Sequence, residues 1–242
     1  MKEKLHTIPV NEAFDTDCEC PLCIMHKSLE DKAIDFTMGP SYMEDDVRGE
    51  TSRMGFCTKH LELLYKNQNR LGLALILQSH MDLLIKNVEK HTGLNSKISV
   101  PSLFKKKGEP SGLTAHLDKL KDTCYICDKI EGTFERYIAT IFHLYHTERE
   151  FRSKFNDCKG FCTNHYSLLH TSAPKYLSGE ELQGFMKQLD YLYIENMKRV
   201  RDDLEWFINK FDYRYAEEPW KNAKDAMPRA MLKTNSIINH GI

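Results

Sequence analysis

The sequence has almost no net charge, no long apolar run and none of the short signatures that mark common catalytic sites. Lys and Arg total 34 against 35 Asp and Glu, a net charge of −1, so no global field draws the chain to nucleic acid or anionic lipid. The longest apolar stretch, LGLALIL from Leu71 to Leu77, falls far short of the ~20 residues needed to span a bilayer. The opening, MKEKLHTIPVNEAFDTD, lacks the apolar segment of a secretory signal. Together these absences predict a soluble, cytoplasmic protein with no membrane partner. A Gly-rich phosphate loop, a Gly-x-Ser-x-Gly elbow and paired Glu-x-x-His motifs are also missing, which argues against the commonest enzyme classes. No segment alternates apolar and polar residues as a half-buried strand would, so the expected fold class is all-α.

What is present is cysteine. The 242 residues include eight, in a composition that is 41% hydrophobic and 29% charged, enough apolar material for a sizeable core. In a reducing compartment such cysteines are metal ligands or sensors before they are disulfides.

They are also arranged. GFCTKHLELL (Gly55 to Leu64) returns as GFCTNHYSLL (Gly160 to Leu169), identical at seven of ten positions. Upstream, CPLC (Cys20 to Cys23) returns as CYIC (Cys124 to Cys127). The offsets are 104 and 105 residues, and two signals agreeing this closely define an internal repeat.

Each copy therefore holds Cys-x2-Cys and Cys-x2-His. Three thiolates and one imidazole fill a closed tetrahedral shell suited to Zn²⁺, with no position left for a catalytic water. The expected metal ligands are Cys20, Cys23, Cys57 and His60 in one site and Cys124, Cys127, Cys162 and His165 in the other. Two structural zinc ions follow, and no catalytic residues. Both kinds of pair sit where helices begin, so backbone N–H groups face sites that carry residual negative charge. Zinc in such shells contributes roughly 10–16 kcal/mol, comparable to the whole net stability of a domain, so losing one ligand should unfold one copy. An iron-sulfur cluster on the same ligands is the alternative.

For each copy to close on itself, its helices must go out and come back. SYME at Ser41 and TERE at Thr147 are Ser/Thr-x-x-Glu capping boxes in matching places, predicting helix breaks there, and SGEE at Ser178 opens a further helix. The expected organisation is a first metal-binding helical hairpin over 1–92, a linker over 93–115, a second hairpin over 116–214 and a tail over 215–242 anchored by Trp220. Apolar stripes at Leu73, Leu77, Met81, Leu84 and Val88, and at Tyr193, Met197, Val200, Leu204, Phe207 and Phe211, read as seams between packed helices rather than as a dimerising coiled coil.

Weaker signals carry less. Cys18 and Cys158 have no counterpart in the opposite copy and read as spare thiols, with a reserve-ligand or redox role as the sharper alternative. His143, His146 and Glu150 have metal-compatible spacing, but the break at Thr147 separates them. Lys105 to Lys107 and Lys198, Arg199 and Arg201 are basic clusters without interleaved aromatics, which argues against single-strand nucleic acid.

With CPLC…GFCTKH and CYIC…GFCTNH, MGPSYMEDD, and the closing EPWKNAKDAMPRA in hand, the chain resembles an uncharacterised bacterial family, a domain of unknown function. The resemblance runs nearly end to end and implies a helical protein without an assigned activity. Proteins of this kind are sometimes labelled transporter substrate-binding components. The reading that follows is a non-enzymatic zinc protein that binds a protein partner or a second copy of itself. A thiol- or metal-based sensor and a metalloenzyme are the alternatives.

Overall fold

A computed structural model of the chain describes residues 4–92 and 112–236. These residues form eleven α-helices and two short 3-10 turns, with no strand among them. The helices are α1 (Lys4–Asp15), α2 (Pro21–Met38), α3 (Asp45–Met54), α4 (Thr58–Lys66), α5 (Arg70–Thr92), α6 (Gly112–Lys121), α7 (Tyr125–Thr147), α8 (Arg149–Asp157), α9 (Thr163–Tyr176), α10 (Gly179–Asn209) and α11 (Ala226–Asn235). The all-α expectation holds.

The breaks fall where the sequence put them, by different chemistry. After α2 the chain passes through a 3-10 turn over Pro40–Met43 and restarts at Asp45. The Ser41 hydroxyl does not cap that helix but donates back to the Phe36 carbonyl. At the second break the Thr147 hydroxyl likewise donates to the His143 carbonyl, and Glu148 occupies the N-cap of α8. Ser178 is the N-cap of α10, without a side-chain cap bond. In all three, backbone geometry rather than the capping box sets the boundary.

The chain divides into two compact units, residues 1–28 with 133–242, and residues 29–132. The boundaries lie inside α2 and α7, so the units do not follow the repeats. Most of the expected 93–115 linker lies outside the described residues; its last four residues belong to α6.

The core of the outer unit (1–28 with 133–242) is aromatic. Phe151, Phe155, Phe161 and Phe185 are fully buried. Phe155 meets Phe14, Tyr145, Phe161 and Phe185 at ring-centroid distances of 5.9, 5.2, 5.4 and 5.1 Å. Each such ring contributes roughly 1.5–3 kcal/mol through burial, with edge and offset geometry adding to it. Phe161 belongs to the second Gly-Phe-Cys motif, so the aromatic of that motif is a packing residue.

The described part of the tail, to residue 236, is structured. α11 packs on α9 and α10, and Trp220 lies 5.9 Å from Phe207, ring to ring, which places the expected anchor against α10. The α10 stripe is buried at Val200 but ends at Phe211, which is 76% exposed.

The inner unit (29–132) is built from aliphatic contacts, with Ile34, Met38, Val47, Leu64, Leu73, Ile76, Ile126 and Ile130 buried. α3 carries Asp45 and Asp46 in its first turn and Arg53 in its last, matching the helix dipole. It stops at Gly55, whose φ of 62° is left-handed. On α5, Leu73 is buried and Leu77, Leu84 and Val88 are half-buried, but Met81 is 58% exposed, so the predicted stripe is an incomplete seam.

Candidate metal centres

All eight predicted ligands converge into two quartets, but not the two expected. Cys20, Cys23, Cys162 and His165 form one, and Cys57, His60, Cys124 and Cys127 the other. Each takes its Cys-x2-Cys from one repeat and its Cys-x2-His from the other. The expectation that each copy closes on itself is overturned.

Helix length supplies the reason. At about 1.5 Å per residue, α2 runs ~27 Å away from Cys20 whereas α3 returns only ~15 Å. α7 runs ~35 Å from Cys124 and α8 returns ~14 Å. A following helix that much shorter does not by itself carry the second ligand pair back to the first. The same asymmetry in both copies makes the exchange reciprocal.

Within each quartet the four ligand atoms lie within 4.8 Å of one another. In the outer unit His165 Nδ1 is 3.4, 3.3 and 3.2 Å from the sulfurs of Cys20, Cys23 and Cys162, and the Cys23 and Cys162 sulfurs are 3.6 Å apart. In the inner unit His60 Nδ1 is 3.2, 3.3 and 3.3 Å from the sulfurs of Cys57, Cys124 and Cys127, with Cys57 and Cys127 at 4.0 Å. Metal–sulfur bonds of ~2.3 Å and metal–nitrogen bonds of ~2.0–2.1 Å make tetrahedron edges of roughly 3.6–3.8 Å. The donor atoms are thus already near coordination spacing, and each quartet could hold a metal ion.

The local sequence explains the placement. Cys20 and Cys124 immediately precede α2 and α7, and Cys57 and Cys162 are the N-caps of α4 and α9. Gly55 and Gly160 open the Cys-x2-His loops with φ of 62° and 75°. A Cβ on Gly160 would sit 2.8 Å from the Leu192 carbonyl oxygen, and one on Gly55 would sit 2.9 Å from the His80 ring. Both copies need glycine there for backbone angle and for space.

The thiols polarise one another. Hydrogen bonds from Cys20 and Cys23 hold the Cys162 thiol far below the ordinary range, while burial pushes Cys20 up and the bond to Cys162 pushes Cys23 up. In the inner quartet burial would raise Cys124, but hydrogen bonding to His60 brings it down to about 6. Burial would lower His60, yet its bonds to Cys124 and Glu30 bring it up to about 9.

Several neighbours were not foreseen. His60 Nε2 lies 3.1 Å from Oε1 of Glu30, a carboxylate only 1% exposed that also pairs with Lys59. This fixes the imidazole with Nδ1 toward the sulfurs. Seven residues separate Cys23 from Glu30, and seven separate Cys127 from Phe134, whose ring lies 5.5 Å from that of His165. The two positions correspond under the repeat offset, but their residues differ, so the repeat carries no signal for either.

In the outer unit Lys233 of α11, also 1% exposed, donates through Nζ to the carbonyls of Glu19 and Lys159. Those residues begin the two ligand loops, so one ammonium ties the loops together. Ser236 Oγ adds a contact of 2.9 Å to the Cys162 sulfur. In the inner unit the corresponding tie is direct, from Thr123 Oγ1 to the Met54 carbonyl at 2.7 Å and from Tyr125 N–H to the Gly55 carbonyl at 3.0 Å.

The remaining candidates are accounted for. Cys18 and Cys158 join neither quartet and line a cleft of about 460 Å³ together with Asp17 and Lys159. His146 Nδ1 lies 2.7 Å from a Glu181 carboxylate oxygen while Glu150 faces Lys154 at 3.9 Å, so His146 and Glu150 engage different neighbours at a helix elbow. Lys198, Arg199 and Arg201 pair with Glu195, Glu19 and Asp202. Lys105 to Lys107 lie outside the described residues.

The chain matches the model of a family of unknown function, DUF6062, over residues 1–241. It belongs to that family. No curated protein and no solved structure matches it. Membership thus agrees with the resemblance read from the paired cysteine motifs, and it assigns this DUF6062 chain no activity. No helix among the described residues is long and apolar enough to cross a membrane.

Proposed function

We propose that the protein is a non-enzymatic, cytoplasmic zinc protein whose two Cys3His centres are structural and hold helices in position to bind a protein partner or a second copy of the chain. The observation that carries this reading is the tetrahedral clustering of three sulfurs and one imidazole nitrogen in each quartet, within 4.8 Å. A multi-iron cluster inserts several atoms between its cysteines and needs them further apart, so the spacing favours a single ion. Four protein ligands per ion leave no open position for substrate, which supports a structural role.

A binding role is supported by apolar side chains left in solvent on α10 and the turn beyond it, where Tyr191, Ile208, Phe211 and Tyr213 are 60–87% exposed. Elemental analysis of native-purified protein tests the metal reading directly, with two zinc ions per chain expected. Size-exclusion chromatography with light scattering, together with pull-down of partners, tests the binding reading. A metal-free, folded protein would refute the first, and a monomer that captures nothing would refute the second.

A further inference from the structure

Duplicated sequence has produced two centres that are not equivalent. In the outer quartet Cys20, Cys23, Cys162 and His165 are 1, 1, 0 and 9% exposed, so no sulfur faces solvent. In the inner quartet Cys124 and His60 are buried, Cys57 is half-buried and Cys127 is exposed. The residue behind the histidine also differs. His60 has the buried carboxylate of Glu30 on its Nε2, whereas the matching repeat position beside His165 is Phe134.

From this asymmetry we propose that the inner quartet is an exchangeable centre for a divalent cation of the zinc type, loaded and emptied through Cys127, while the outer quartet releases its ion far more slowly. The proposal rests on reading both quartets as metal sites. An ion leaves a filled tetrahedral shell when a competing donor reaches it or when a protein ligand lets go. Thiolate reactivity follows access, and only the inner centre presents a sulfur that an outside donor can reach. A competitor in solution therefore meets Cys127 first.

Glu30 gives this opening its reversibility. Held by the carboxylate, His60 keeps Nδ1 aimed at the metal position even when Cys127 has released. Cys124 stays buried beside it, with Nδ1 and sulfur 3.3 Å apart. A preset pair of ligands thus remains to recapture an ion. The outer centre has no exposed sulfur at which exchange could begin, and Lys233 clamps both of its loops.

The test uses full-length protein carrying two zinc ions, mixed with the chelator 4-(2-pyridylazo)resorcinol while zinc release is followed by absorbance. Two phases of one ion each are expected, separated by about tenfold or more in rate. Alkylation with iodoacetamide after the first phase, followed by peptide mass mapping, should mark Cys57, Cys124 and Cys127 and spare Cys20, Cys23 and Cys162. Glu30→Gln should speed the first phase and leave the second unchanged. Release of both ions in one phase, or first labelling at Cys20, Cys23 or Cys162, overturns the proposal while leaving two-zinc binding intact. Protein that takes up no zinc on reconstitution instead overturns the underlying metal reading.

Discussion

The sulfurs of Cys23 and Cys162 lie 3.6 Å apart although 139 residues separate them in the chain. That single proximity rules out a fold made of two self-closed copies, because it pairs the first Cys-x2-Cys with the second Cys-x2-His. Its most direct test is a count of ions. Cys20→Ala and Cys162→Ala should each lose one zinc, and the double variant should still lose only one. Combining Cys20→Ala with Cys57→Ala should lose both. Native mass spectrometry reads the difference, and the opposite pattern would restore pairing within each copy.

Glu30 is expected to act on one centre alone. Glu30→Ala removes the acceptor on His60 Nε2 and should weaken inner-site zinc binding by about 10–100-fold, the usual penalty for losing such a partner. The outer site should keep its affinity. Competition titration against a calibrated chelator measures both, and an equal loss at the two sites would contradict the geometry.

Packing around Phe155 sets the stability of the outer unit. Its ring touches four other aromatics and is fully buried, so Phe155→Ala should cost ~3–5 kcal/mol in urea-induced unfolding of the zinc-loaded protein. A loss well under 1 kcal/mol would mean that the aromatic cluster is not a core.

Gly160→Ala forces a side chain into a left-handed backbone position and against the Leu192 carbonyl. A destabilisation of roughly 1–3 kcal/mol is expected, accompanied by weaker outer-site zinc binding because the loop that carries Cys162 must shift. Chemical denaturation and zinc competition on the same sample check both halves.

Alkaline pH should expose the character of Cys158. Burial pushes its thiol up to about 12 from an ordinary value near 9, against a smaller lowering by the Gly160 backbone N–H. Because the folded value is the higher one, the associated stability is fully present below about pH 9 and is lost as pH rises toward 12. Iodoacetamide labelling of Cys158 should therefore keep climbing above pH ~9, where an ordinary thiol levels off. Cys158→Ala and Cys18→Ala should leave the zinc count unchanged, since neither joins a quartet. A plateau near pH ~9 would show the thiol to be solvated.

The sequence made the ligand set legible because metal chemistry restricts residue type and spacing locally: Cys20 with Cys23 and Cys57 with His60 are each declared within four positions. The partition of those pairs was not declared. Pairing across copies stretches the closed loop about fourfold in the outer quartet and about twofold in the inner one, which costs only ~1 kcal/mol or less of chain entropy at ~0.6 kcal/mol per doubling, against roughly 10–16 kcal/mol from an ion. Loop length could not decide between partners. Relative helix lengths did, and Ser41 and Thr147 marked the breaks without revealing how short α3 and α8 would be. Glu30 and Lys233 were missed for another reason. A charged residue reads as solvent-facing unless its partner is known, and His60 and the Glu19 and Lys159 carbonyls become partners only through the fold.

The reciprocal exchange of ligands also imposes an order of birth. As the chain leaves the ribosome, the inner quartet is complete once Cys127 has emerged, whereas Cys20 and Cys23 must wait for His165, and their clamp for Lys233. The earliest cysteines made are thus among the last to be sealed. Until His165 is made they have no histidine partner, and on the metal-centre reading proposed above the nascent protein is then open to capture of a wrong metal.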